Sequence, residues 1–112
     1  MKRLLFPAIL GAVIAACSGA DTIDQHACPP GGTTLTYDNF GKQFINDYCV
    51  SCHGGPNGYS SRAFTTVESI RASKDRIYAN AAADNTFMPP GPDDPPKSER
   101  DRLADWLACG AP

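Results

Sequence analysis

The five residues Cys49-Val50-Ser51-Cys52-His53 constrain this chain more than any others. On a helix Cys49 and Cys52 stand at i and i+3, and His53 is i+4 from the first. Two thiols and an imidazole then project to one side. Gly54 and Gly55 follow and carry no side chain, so the backbone can leave close to whatever these groups hold. What they hold decides the fold, because the rest of the chain is short.

How short depends on the first residues. Lys2 and Arg3 form a basic start, and Leu4 to Ala16 is an apolar run broken mainly by Pro7 and Gly11. That run is shorter than the ~20 apolar residues of a membrane-spanning helix, and it fits the centre of an export signal. It ends Ala15-Ala16-Cys17, which resembles a bacterial lipobox. The resemblance implies a lipoprotein signal peptide over 1–16 and lipidation of Cys17 as the first mature residue. The alternative is an ordinary cleaved signal followed by a coincidental cysteine. Either way the mature chain is expected outside the cytoplasm, on the periplasmic side of a bacterial membrane. Ser18, not Asp, follows Cys17, which by the enteric sorting rule points to the outer membrane.

Removing 1–16 from the 112 residues leaves 96. That suits one monomeric domain whose small core needs a cofactor or a disulfide. Taking Lys2 and Arg3 from the ten basic residues leaves eight against twelve acids, a balance of −4. A mildly acidic chain without a basic cluster argues against nucleic-acid binding.

Five cysteines are present. Cys17 is assigned to lipid, Cys49 and Cys52 to the motif, and Cys28 with Cys109 remain. In an oxidising compartment that pair is a disulfide candidate. Two separate thiols are the other reading.

Residues 17–34 are polar and rich in Gly and Pro, and read as a lipid-anchored flexible tether. His26 within them reads as a solvated loop histidine. The domain is expected over 35–112. Thr36 is a candidate N-cap, with Leu35 and Phe40 as a hydrophobic staple. Phe40, Phe44 and Tyr48 recur at helical spacing and predict a helix over 37–49. Gly41 inside it costs about 1 kcal/mol against Ala, which a close helix crossing would explain. Residues 54–64 form a loop. Thr65 to Glu68 reads as a capping box, and Val67, Ile70, Ile77, Tyr78 and Ala81 predict one or two short helices across 66–83, re-capped at Ser73. Residues 84–97 hold five prolines and exclude regular structure. Ser98 is expected to cap a last helix, with Leu103, Trp106 and Leu107 as its buried stripe and Gly110 at its end. No alternating strand pattern appears. The fold class is all-α, with three to four helices.

Cys-x-x-Cys-His is the attachment motif of haem c. The two thiols can add to the vinyl groups along one haem edge, and the imidazole then reaches the iron. The mature chain contains one methionine, Met88, in Phe87-Met88-Pro89-Pro90-Gly91. Its thioether is the candidate for the second axial position, and such a His/Met pair raises the reduction potential. A core methionine filling a gap is the bland alternative.

With these residues in place, the chain resembles class I c-type cytochromes over about 35–112. The order agrees: a first helix, the motif, a helical connection, a loop Met followed by Pro, and a last helix. Gly41 falls eight residues before Cys49, and Leu103 with Trp106 has the spacing of the family's apolar-aromatic pair. "MPPG" and "LADWLACGAP" are similar to small mono-haem domains of bacterial lipoproteins. The resemblance implies a cytochrome c-like fold around one covalently bound haem c. It also implies thioethers at Cys49 and Cys52, axial ligands His53 and Met88, and electron transfer between redox protein partners without enzymatic turnover. Asp93, Asp94, Lys97 and Arg100 make a mixed rim rather than a lysine ring. The acceptor for the His53 ring is open, with Pro56 a candidate by proximity.

Two other readings stand beside this one. A labile Met88 bond would make the haem a ligand-binding or sensor module. Alternatively, Cys49, Cys52, Cys28 and His26 could form a four-ligand structural zinc site, which leaves His53 and the Met88 loop unexplained.

Overall fold

The computed structural model describes residues 19–58 and 61–112. The expected signal peptide and the lipidation at Cys17 lie outside the described residues, as do Tyr59 and Ser60 of the loop after the motif. Among the described residues there are five α-helical segments and no strand. These are α1 (Lys42–Tyr48), α2 (Val50–His53), α3 (Val67–Ala72), α4 (Lys74–Ala81) and α5 (Lys97–Ala108). None of them is long and apolar enough to cross a membrane.

The chain enters α1 through a π-helical turn, Tyr37–Gly41. Thr36 caps that turn: its hydroxyl accepts from the Asn39 N–H, and the Asn39 carboxamide accepts from the Thr36 N–H. Phe40, Phe44 and Ile45 turn inward from this segment, and Leu35 packs against the same cluster. The predicted helix over 37–49 is therefore divided. It begins as a wider turn, and Cys49 ends α1 with φ −121° and ψ −38° before α2 restarts.

Ser73 divides α3 from α4 as expected. The cap of α3 differs from its prediction. Thr66 is the N-cap and Ser69 its reciprocal partner, not Thr65 with Glu68. The last helix starts two residues early, at Lys97 with Pro96 rather than Ser98 as N-cap. Its end is a Schellman motif: the Ala111 N–H donates to Trp106 O (2.9 Å) and the Gly110 N–H to Leu107 O (2.9 Å).

Trp106, Leu103 and Leu107 are fully buried, and α4 packs on α5 through Ile77, Tyr78 and Ala81. A buried Leu or Ile side chain of this set contributes about 1.5–3 kcal/mol. The start of the first helical segment meets α5 at Gly41. A Cβ there would lie 2.3 Å from Cζ2 of Trp106, so only glycine admits the indole. The indole also stands edge-on to Phe40, and its N–H donates to Pro112 O (3.1 Å).

Within the stretch read as a flexible tether, Asp21 to Cys28 are held against the domain. A 3-10 turn, Ile23–Gln25, packs against α4 and α5. Asp21 and Asn85 exchange two hydrogen bonds, of 3.0 and 2.9 Å. His26 is half-buried rather than solvated, with Nε2 2.7 Å from Asp105 Oδ1 and its ring beside Tyr78. Cys28 and Cys109 are joined as a disulfide. These polar contacts are long-range in sequence, so residue-by-residue composition gives no sign of them.

Candidate functional site

The break at Cys49 keeps the motif in one turn. The Cys49 carbonyl accepts from the Cys52 N–H (3.2 Å) and the His53 N–H (2.8 Å). Cys49 N–H in turn donates to Ile45 O (2.9 Å), which continues the ladder of α1. Cys49, Cys52 and His53 consequently line one cavity of about 580 Å³, a size typical of small-ligand and cofactor sites. Both cysteines are free thiols and half-buried. Burial first, and then the neighbouring Cys52, push the Cys49 thiol from 9.0 up to about 12.

His53 is held on both faces of its role. Its Nδ1 lies 2.7 Å from the carbonyl oxygen of Arg62. A carbonyl only accepts, so Nδ1 carries the proton and Nε2 keeps the lone pair that a metal needs. Phe64 stacks on the imidazole with centroids 4.3 Å apart and planes 16° from parallel. The Phe64 N–H donates back to His53 O (2.8 Å), so the loop returns onto the motif. Arg62, not Pro56, is therefore the acceptor. Its position nine residues on is invisible to side-chain patterns, because a backbone oxygen makes the contact.

Met88 reaches the same cavity from the proline-rich loop, together with Pro89, Pro90 and Gly91. Its N–H donates to Asn80 O (2.8 Å). Its carbonyl accepts from Arg100 Nη1 (2.9 Å). Met88 is 37% exposed, which is inconsistent with a gap-filling core methionine, and Phe87 beside it is 73% exposed. Ile77 and Ala81 of α4 supply apolar wall, and Arg62, Arg76, Asp47 and Asp93 supply charge at the lining.

Arg100 departs most from its expected place. It was read as part of a mixed charged rim, yet it is buried beneath the Met88 loop. Lys97 does lie at the surface, paired with Asp101 and with Asp84 at 3.4 Å.

The four-ligand zinc set does not assemble. Cys28 is spent in the disulfide and His26 pairs with Asp105, and no group of three or more His, Cys, Asp or Glu suited to a metal ion occurs among the described residues. What the cavity brings together is two free thiols, an imidazole with Nε2 available, and a thioether. The chemistry of that donor set, two thiols with one imidazole nitrogen and one thioether sulfur, fits an iron macrocycle.

Residues 38–107 match the family model described as Cytochrome C oxidase, cbb3-type, subunit III. The match spans the motif, Gly41, Met88 and Trp106, and leaves Cys28 and Cys109 outside. Neither a curated protein nor a solved structure matches the chain.

Proposed function

The chain belongs to the family of cytochrome c oxidase, cbb3-type, subunit III, and on that premise we propose that it is a mono-haem electron carrier of class I c-type character. The observation that carries this reading is the meeting of Cys49, Cys52, His53 and Met88 on one cavity. Cys49 and Cys52 would hold the haem edge as thioethers, and His53 Nε2 and the Met88 sulfur would hold the iron. When bound, haem c supplies a one-electron ferric/ferrous couple.

The chain's own residues set the conditions for that couple. The Arg62 carbonyl fixes the His53 tautomer, and Phe64 fixes the plane of the ring. Ile77 and Ala81 exclude water from the cavity wall, which limits reorganisation when charge changes. Arg62 and Arg76 are among the residues lining the cavity, and cations of that type suit the carboxylates of the group. No substrate bond is broken, so the protein is a carrier and not an enzyme.

The same reading includes a cytochrome c-like fold, a monomer, and export to the periplasmic side with a lipid anchor on Cys17. Its partners are a redox protein that donates and another that accepts. The family's description names a subunit of an oxidase, which supports a respiratory partner of that class.

The 37% exposure of Met88 favours one second reading, a ligand-binding haem module in which the thioether leaves the iron. The primary test is the mass and haemochrome spectrum of the exported protein. One haem per chain is expected, retained after denaturation and lost in a Cys49→Ala, Cys52→Ala double variant. A haem-free exported protein would contradict the proposal.

A further inference from the structure

Arg100 lies in α5 within Lys97-Ser98-Glu99-Arg100-Asp101-Arg102, a run of charged and polar residues that reads as a solvated face. It is nevertheless only 3% exposed. Its Nη1 stands 2.7 Å from Ala81 O, 3.0 Å from Asn85 O and 2.9 Å from Met88 O. Asp94 is 4.0 Å from Nη2, so main-chain oxygens are the tight partners of this buried cation. All three belong to the 81–88 segment, which runs from the end of α4 into the methionine loop.

We propose that Arg100 is the positioning residue for Met88, clamping the loop so that its thioether stays at the haem iron. This rests on the reading of Met88 as axial ligand. An iron–thioether bond is weak, so its occupancy depends on how well the sulfur is held in place before it binds. Met88 needs such a clamp, because its side chain is partly exposed and no dense packing holds it. The clamp acts on its backbone instead: Asn80 O takes its N–H and Arg100 takes its carbonyl. A planar, permanently charged guanidinium suits this task. It reaches several carbonyls from one buried position and keeps its proton there. Lysine would retain the charge from a stem one bond shorter, and glutamine would lose both charge and reach.

The test uses the full-length holoprotein and compares wild type, Met88→Ala, Arg100→Gln, Arg100→Lys and the Met88→Ala, Arg100→Gln double variant. The readouts are the ferric sulfur-to-iron charge-transfer band and the rate of carbon monoxide binding to the ferrous form. Far-UV circular dichroism reports folding. Arg100→Gln is expected to weaken the band and speed carbon monoxide binding by about ten- to a hundred-fold, the loss associated with a hydrogen bond to a charged group. Arg100→Lys should fall between it and wild type. In the Met88→Ala background the glutamine change should add nothing, because its effect passes through Met88. A folded Arg100→Gln protein with the wild-type band and rate overturns the proposal, and so does an equal acceleration in the Met88→Ala background. A band that survives Met88→Ala overturns the ligand reading itself, and this proposal with it. If Arg100→Gln does not fold, Arg100→Lys serves for the same comparison.

Discussion

The Nδ1 atom of His53 donates a hydrogen bond to the carbonyl oxygen of Arg62 across 2.7 Å. The contact closes the loop after the motif and leaves Nε2 free to coordinate. Phe64, two residues beyond the acceptor, covers the face of the same ring. Orientation of the imidazole thus depends on one backbone oxygen and one aromatic side chain.

Phe64→Leu should preserve apolar burial while removing the stack. Stability is expected to fall by about 1 kcal/mol, the usual worth of an aromatic pair beyond its area. Urea denaturation of the holoprotein gives the value. An unchanged midpoint would show that the 4.3 Å stack contributes nothing.

Gly41→Val tests the crossing of the first helical segment with α5. Even a Cβ would sit 2.3 Å from the Trp106 ring, and that ring is fully buried with no room to retreat. Overpacking of this kind costs about 1–3 kcal/mol, and here the upper end is expected. A lowered denaturation midpoint with quenched or shifted Trp106 fluorescence would agree. Wild-type stability would mean that the crossing is loose.

Cys28→Ser with Cys109→Ser opens a loop of 81 residues. The chain-entropy model assigns about 4–5 kcal/mol to that closure. The same change should release the docked 21–28 segment, since the disulfide, the His26–Asp105 pair and the Asp21–Asn85 pair act together. Faster exchange of the Asp21 amide, which donates to the Asn85 side chain, and a drop in stability are expected. Unchanged exchange at Asp21 would show that the segment is held without the disulfide.

In protein produced without haem, Cys49 is a protonated thiol at neutral pH, because burial and Cys52 raise it from 9.0 to about 12. Its thiolate fraction, and hence its alkylation rate at pH 8, should be lower than that of a free thiol by about a thousand-fold. A folded value above the unfolded one means that the folded state keeps a proton the unfolded state releases. Stability from this group is full below pH 9 and is lost as pH rises through about 12. Mass-resolved iodoacetamide labelling at Cys49 measures the rate, and labelling at the free-thiol rate would contradict the burial.

Much of the scaffold is legible from side-chain periodicity. Phe40 and Phe44, Ile77 and Tyr78, and Leu103, Trp106 and Leu107 all fall on the buried faces that their spacing predicts. Ser73 punctuates the middle helices where expected. The motif residues and Met88 also reach a common cavity, which chemistry at fixed spacing suggests. The missed features share a cause: their partners are backbone oxygens or residues far along the chain. Arg62 serves His53 through its carbonyl, and Arg100 meets three carbonyls from within a charged run. His26 finds Asp105 across 79 positions. The cap of α3 falls one residue later than expected, at Thr66, whose neighbour Thr65 is the same residue type, and α5 begins two residues early, after Pro96.

The most direct measurement is the ferric absorption spectrum of the purified holoprotein, taken beside that of Met88→Ala. A low-spin spectrum with the weak sulfur-to-iron band is expected in the wild type. In the variant the band should vanish and the reduction potential should fall. A high-spin wild-type spectrum, or a band and potential indifferent to Met88→Ala, would contradict a six-coordinate electron carrier.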